Sequence, residues 1–391
     1  MNKLNLYYGK KTEVPDKTVV KHKSSVDVRF LLTLITLLAI GTLMVYSAGY
    51  PYATSHYGDG AYYIKRQIIF LVIGSIGMFV LSSIPIKLYK KSSPYFYGIC
   101  IILLILVLFG GFSEGVAKRW LGIPGTPLSF QPSELMKLGI VLILAWYADK
   151  KVREENGTVK DIIIPGLFLF GACGLVLLEK HLSGTIIIAL IGIAVLFISG
   201  ASIKKMLLVY GVTATVGATV FLLTNSYAMK RIQSFLNPDA DMLSDKWQTT
   251  QGLYAIGSGG FFGLGYMNSR QKYSYVSEPQ NDFIFTVYCE EMGFIGAIFL
   301  IFLFVILIWR GYVIAMNTPD AFSSLVAFGI TSQIAIQAFL NMAVVTDLIP
   351  NTGISLPFFS YGGSSLVILM CEMGIILSIS RQARLKNRRI L

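Results

Sequence analysis

The strongest constraint on this chain is a repeated one. Apolar runs close to the ~20 residues that a helix needs to cross a bilayer recur along almost its whole length. They can be read at about 30–48, 67–85, 92–110, 135–148, 162–179, 184–200, 206–224, 283–308, 324–346 and 362–380. Inside a bilayer no water can satisfy exposed backbone N–H and C=O groups, so runs of this length must be helices. Only 14% of the 391 residues are charged, against about 25% in a typical soluble domain. The fold class is therefore all-α, a polytopic integral membrane protein of about ten transmembrane helices.

An even number of spans puts both termini on one side, and Lys and Arg decide which. The two tails and the connections on their side carry 22 of the 33 Lys and Arg, leaving 11 for the opposite face. The richer face is expected in the cytoplasm. The chain then divides into a basic cytoplasmic tail at 1–29, a transmembrane domain at 30–380 and a second basic tail at 381–391. A large outer loop, at about 225–282, separates helices seven and eight. The first tail contains no short apolar stretch with a cleavage site, so it does not read as a signal peptide. The net charge of +12 reflects this topology and attraction to anionic membrane lipids, not nucleic-acid binding.

The outer cations are the informative ones, because orientation does not explain them. Lys65, Arg66, Lys118, Arg119, Lys137, Lys180, Lys230, Arg231, Lys246, Arg270 and Lys272 mostly flank two long outer segments, 110–134 and 225–282. Trp120, Trp247 and several prolines in these segments argue against plain disorder. Basic groups at this level suit an anionic ligand such as a lipid phosphate; the alternative is headgroup anchoring of helix ends.

Several spacings point nowhere. The glycines of IGSGGFFGLG, 256–265, follow no strand and precede no GK[ST], so close backbone approach or a broken helix accounts for them better than a phosphate loop. GFSEG, 111–115, spells a nucleophile elbow without its strand–turn–helix context. The Asn156-Gly157-Thr158 sequon falls in a loop expected to be cytoplasmic. His22, His56 and His181 are scattered, and Cys100, Cys173, Cys289 and Cys371 fall in or beside apolar spans, so neither a metal site nor a disulfide framework is indicated.

SEPQNDFIFTVYCEEMGFIGAIFL, 277–300, is different. Asp282 stands at the mouth of an apolar helix, behind Pro279. It could cap that helix and complement its dipole. Spacing alone favours the cap; with Arg270 and Lys272 a short loop away, the alternative is that it deprotonates a hydroxyl beside a lipid-linked phosphate. Glu290 and Glu291 lie ~12 Å further along the helix axis, too far to share a reacting atom with Asp282, and read as structural.

The chain resembles the SEDS family of bacterial shape, elongation, division and sporulation proteins, which includes FtsW, RodA and SpoVE. The resemblance runs nearly end to end. It rests on MVYSA (44–48), KRQ (65–67), AKRWLGIPGTPLSFQPSELMKL (117–138), RIQSFLNPDAD (231–241), QGLYAIGSGGFFGLGYMNSRQKYSYVSEPQNDFIF (251–285) and TGISLPFFSYGGSSL (352–366). SRQK and FQPSE are closer to the FtsW/SpoVE branch than to RodA.

The resemblance implies ten transmembrane helices and peptidoglycan glycosyltransferase activity in division or sporulation. The implied substrates are lipid II and a nascent glycan strand, at the outer face of the bacterial cell membrane. The essential aspartate of the family falls on Asp282, the expected general base. The 4-hydroxyl of an acceptor sugar would attack C1 of the donor, and undecaprenyl pyrophosphate would leave with inversion. Lys65, Arg66, Arg119, Arg270 and Lys272 are candidates to stabilise the leaving group, Trp120 to stack on a sugar or the lipid stem, and Glu134 and Lys137 to pair or line the cavity. Ser364, within FSYGGSS, would help shape that cavity. A divalent cation, Mg2+ or Mn2+, is admitted as a cofactor; no organic cofactor is expected. The implied partner is a cognate class B penicillin-binding protein, with other divisome or elongation proteins. Two departures stand out. EKHLSGT, 179–185, replaces a QPDLGT-like turn, so His181 carries no assigned function, and Ser277 and Asn281 replace the usual proline and threonine before Asp282. A lipid II flippase and a non-catalytic scaffold are the rival readings.

Overall fold

The computed structural model describes residues 26–113, 118–122, 129–152, 160–201, 245–273 and 275–383, with a few isolated positions between 201 and 245. Most of both tails and of the span expected at 206–224 lies outside the described residues, as does the 156–158 sequon. The helices are α1 (Val28–Tyr57), α2 (Tyr62–Ser83), α3 (Ile86–Gly110), α4 (Pro132–Val152), α5 (Lys160–Leu178) and α6 (Leu182–Ile198). They continue with α7 (Asp245–Ser258), α8 (Ile284–Met316), α9 (Ala321–Val345) and α10 (Gly363–Ser380). Six of them (α1, α2, α3, α8, α9 and α10) are long and apolar enough to cross a membrane, and α5 and α6 contain shorter apolar stretches. This is an all-α, multi-pass membrane protein.

The two segments read as long loops carry structure of their own. Strands β1 (Phe112–Ser113) and β2 (Lys118–Trp120) pair antiparallel, and Leu121 and Phe130 exchange backbone hydrogen bonds beyond them. The polar sequence of α7 gives no span signal, yet it forms a helix that packs on α8.

Local chemistry sets the ends of the bundle. Asp27 caps α1, its carboxylate accepting from the Phe30 N–H at 3.1 Å. The same carboxylate pairs with Arg310 of α8, and the Asp27 N–H donates to the Ser380 hydroxyl of α10. Gly58, in the left-handed region at φ 68°, stops α1. Helix α4 is buried on nearly every face, surrounded by α3, α5, α6 and α9. Helices α2 and α10 approach so closely that a Cβ on Gly374 would stand 2.4 Å from the Met78 carbonyl oxygen. Small residues permit such backbone approach where lipid supplies no hydrophobic drive. The connections before α2, α4, α6, α8 and α10 bring described residues together at one end of the bundle. The other end joins the start of α1, the α2–α3 connection and the end of α10.

Candidate active site

At the first of these ends the helices part around a cavity of about 680 Å³. Five of the residues singled out from the sequence line it: Arg66, Trp120, Glu134, Asp282 and Ser364. Lys65, Arg119, Lys137, Arg270 and Lys272 do not.

Asp282 is half-buried, and its surroundings are built by backbone clamps. Asn341 of α9 donates to the Asp282 carbonyl at 2.8 Å and to the Ile354 carbonyl at 2.6 Å. The Tyr361 N–H donates to the Gln280 carbonyl at 2.8 Å. These bonds stitch 280–282 to the 354–361 connection. Gly353, at φ +66°, abuts the carboxylate; a Cβ there would lie 3.2 Å from Asp282 Oδ2. The N-cap of α8 is Phe283, one residue beyond Asp282.

Beneath Asp282 the helix is broken. Gly293 lies at φ 65°, ψ −167° inside α8, a conformation essentially confined to glycine. The glycine-rich segment fills the break. Leu264 and Gly265 donate to the Glu290 and Glu291 carbonyls at 3.0 and 2.9 Å, while Phe294 donates back to Gly260 at 3.0 Å. Irregular backbone at membrane depth is tolerated where protein re-satisfies it in this way. Close backbone approach is thus the role of IGSGGFFGLG. A Cβ on Gly263 would stand 2.2 Å from the Glu291 carbonyl oxygen.

The two glutamates are structural, as expected. Glu290 accepts from the Ser269 hydroxyl at 2.5 Å, the Arg270 N–H at 3.0 Å and the Ser258 hydroxyl at 3.2 Å. Glu291 accepts from Lys272 Nζ at 2.8 Å and from the Ser47 hydroxyl at 2.5 Å. The Lys272–Glu291 pair has no solvent exposure at either side chain, and Lys272 also donates to the Met267 carbonyl at 2.8 Å. A lysine consumed by such a network has no donor to offer a ligand, which corrects the expectation for Lys272. Arg270 is corrected too: its backbone binds Glu290, but its exposed side chain does not reach the cavity.

The remaining cations divide. Arg66 lies over the Tyr62 ring at 4.3 Å and hydrogen-bonds Tyr361, so its guanidinium is held at the cavity wall. Lys65, its neighbour, is exposed and pairs with Asp59 at 2.7 Å, a bond that holds the Asp59 carboxyl below its usual range. Lys137 is buried and pairs with Glu134 at 2.7 Å; Glu134 also accepts from the Ser365 hydroxyl at 2.9 Å. The i, i+3 pairing therefore forms, with Glu134 as its cavity-facing member. Arg119 donates to the Lys180 carbonyl at 2.6 Å, tying β2 to the α5–α6 turn.

Sequence reasoning missed that turn and an aromatic wall. Tyr57, Tyr62, Tyr63 and Tyr361 line the cavity, with Tyr57 and Tyr62 stacked at 3.8 Å. The signal was present in the tyrosine density of YPYATSHYGDGAYY, 50–63. Glu179 is buried, its carboxyl pushed up to about 8 by burial against the opposing pull of Arg119. His181 lines the cavity, and burial, with Arg119 and Lys137 nearby, pushes its imidazole down to about 3.

Among the described residues no three His, Cys, Asp or Glu side chains come together. Mg2+ needs no such cage when substrate phosphates complete its shell. The carboxylates of Asp282 and Glu278 on the cavity wall fit that weaker requirement.

Residues 28–385 match the FtsW/RodA/SpoVE family of cell cycle proteins. The chain is 39% identical over 365 residues to stage V sporulation protein E of Bacillus subtilis, covering 93% of this chain and 99% of that protein. It is 38% identical over 361 residues to the probable peptidoglycan glycosyltransferase FtsW of Trichlorobacter lovleyi, covering 92% and 94% of the two chains. Among solved structures it superimposes on a chain of a peptidoglycan synthase complex with a TM-score of 0.75 at 26% identity, over 91% of this chain and 98% of that one. The rod shape determining protein RodA of Thermus thermophilus gives a TM-score of 0.68, also at 26% identity, over 92% and 98%. The chain belongs to the FtsW/RodA/SpoVE family.

Proposed function

We propose that this protein is a peptidoglycan glycosyltransferase of the bacterial cell membrane, working on its outer face in division or sporulation. It transfers the disaccharide-peptide unit of lipid II to extend a β-1,4 glycan strand. The observation that carries this reading is the half-buried Asp282 carboxylate in the wall of a 680 Å³ cavity, at the bundle end away from the basic connections. Glycosyltransferase names among the relatives and the positive-inside rule support the activity and the orientation.

Asp282 accepts the proton of the acceptor 4-hydroxyl as its oxygen bonds to C1 of the donor. The C1–O bond to the diphosphate breaks with inversion, and the electron pair leaves with undecaprenyl pyrophosphate. A positioned base of this kind contributes about 10²–10⁴ in rate. The Arg66 guanidinium, fixed by Tyr62 and Tyr361, meets charge as it develops on the leaving group. Tyr57 and Trp120 offer flat faces to the sugars, Ser364 a hydroxyl, and Glu134, held by Lys137, an acceptor at the inner wall. A Mg2+ or Mn2+ ion held by Asp282 and Glu278 would neutralise phosphate charge.

The partner is a class B penicillin-binding protein, which the similarity to a synthase complex supports. Purified protein mixed with that partner and lipid II tests the whole reading. Glycan strands from wild type and none from Asp282→Ala are expected. Lipid II movement across vesicles without any polymer would favour a flippase, and full complementation of a deletion by Asp282→Asn would favour a scaffold.

A further inference from the structure

The α5–α6 turn, within EKHLSGT at 179–185, forms part of the cavity wall. His181 is the N-cap residue of α6, and its side chain makes no cap bond. A helix of 17 residues begins with N–H groups its own turns cannot satisfy and with partial positive charge. Residues of that first turn, Ser183 and Gly184, line the cavity together with His181.

The imidazole supplies a second, independent indication. It is only 8% exposed, and its Nδ1 lies 3.2 Å from both Gln131 Nε2 and the Ser133 hydroxyl. An amide nitrogen only donates, so Nδ1 accepts and the ring proton sits on Nε2. Burial and the nearby Arg119 and Lys137 keep the ring neutral, which fixes that tautomer. No described residue accepts from Nε2. The acid of the turn does not oppose an anion, because Glu179 is pushed up to about 8 by burial and is protonated at neutral pH. The imidazole lines the cavity, whose wall also carries the Arg66 guanidinium.

We propose that His181 Nε2–H and the N-terminus of α6 form an oxyanion subsite, which takes a phosphate oxygen of the diphosphate-linked lipid donor. The assignment rests on the glycosyl-transfer reading, in which the diphosphate gains charge as its bond to C1 breaks. His181 is then the directional donor, and Gln131 and Ser133 are positioning residues that hold its tautomer.

Titrating the purified full-length protein in micelles with inorganic pyrophosphate, by calorimetry, tests the subsite. Wild type is expected to bind saturably. His181→Asn keeps a polar group near Nδ1 but has no donor at Nε2, and is expected to weaken binding about tenfold. His181→Gln, whose amide nitrogen reaches the Nε2 position, should stay within about threefold of wild type. Gly184→Ala, whose Cβ would stand 2.6 Å from the imidazole, should weaken binding as well, and serves if the Asn variant does not fold. Absence of saturable binding by wild type, wild-type affinity in His181→Asn, or equal losses in the Asn and Gln variants would each overturn the proposal. Polymerisation is measured separately in Asp282→Ala. Polymerisation surviving in that variant would sink the glycosyl-transfer reading while leaving the binding result standing.

Discussion

Lys272 was expected to bind substrate and is found in a buried ion pair, and Lys272→Met separates the two roles. Both side chains of the Lys272–Glu291 pair are fully shielded from solvent, with Nζ and Oε1 2.8 Å apart. Methionine keeps most of the lysine's volume but removes the cation, leaving the Glu291 carboxylate with the Ser47 hydroxyl and the Ser269 N–H as its donors. Breaking one side of a buried pair costs about 3–5 kcal/mol, and the two surviving donors put this case near the lower figure. Replacing both partners is far cheaper, so Lys272→Met with Glu291→Gln should lie within about 1–2 kcal/mol of wild type. Glu291→Gln alone strands the Lys272 charge at a similar cost of about 3 kcal/mol, so the double-mutant cycle should return a coupling of about 4–5 kcal/mol. Reversible unfolding in mixed micelles measures the stabilities, and polymerisation per folded molecule measures function. Lys272→Met should be unstable yet retain its specific activity once folded. A variant as stable as wild type but inactive would refute this reasoning and return Lys272 to the substrate.

Two further perturbations probe the frame and the cavity wall. Gly293→Ala forces a Cβ into a glycine-only conformation and against the Gly263 backbone nitrogen at 2.3 Å. It should cost about 1–3 kcal/mol for the backbone alone and loosen the 258–276 segment, read as faster hydrogen exchange at Leu264 and Gly265. Glu179, at about 8 in the fold against an ordinary 4.5, holds a proton there that the unfolded chain has lost. Its contribution is complete below about pH 4.5 and is lost as pH rises to about 8. Glu179→Gln should therefore flatten the fall in thermal stability across that window, and an unchanged slope would show that another group titrates.

Six of the expected spans were legible because lipid tolerates little besides unbroken apolar helix, and composition and length suffice to mark them. Asp282 stood out because a carboxylate before an apolar helix is costly without a task, but spacing left capping open and only the family resemblance pointed to catalysis. Glu134 and Lys137 were legible because three residues along a helix make neighbours. What stayed hidden depends on contacts distant in sequence. Lys272 meets Glu291 and Ser47 only because the 259–276 segment folds back between α1 and α8. The break at Gly293 sits inside a run whose hydropathy reads as continuous, and the polar helix α7 has no apolar stripe to announce it. His181 looked like a lost acid; its meaning comes from Gln131 and Ser133, some 50 residues earlier.

The central claim is that Asp282 takes a proton from the acceptor sugar. Single-turnover conversion of radiolabelled lipid II, comparing wild type with Asp282→Asn at equal folded protein and saturating substrate, addresses it directly. The account predicts a rate lower by about 10²–10⁴, with lipid II affinity retained. A rate within a fewfold of wild type would contradict it.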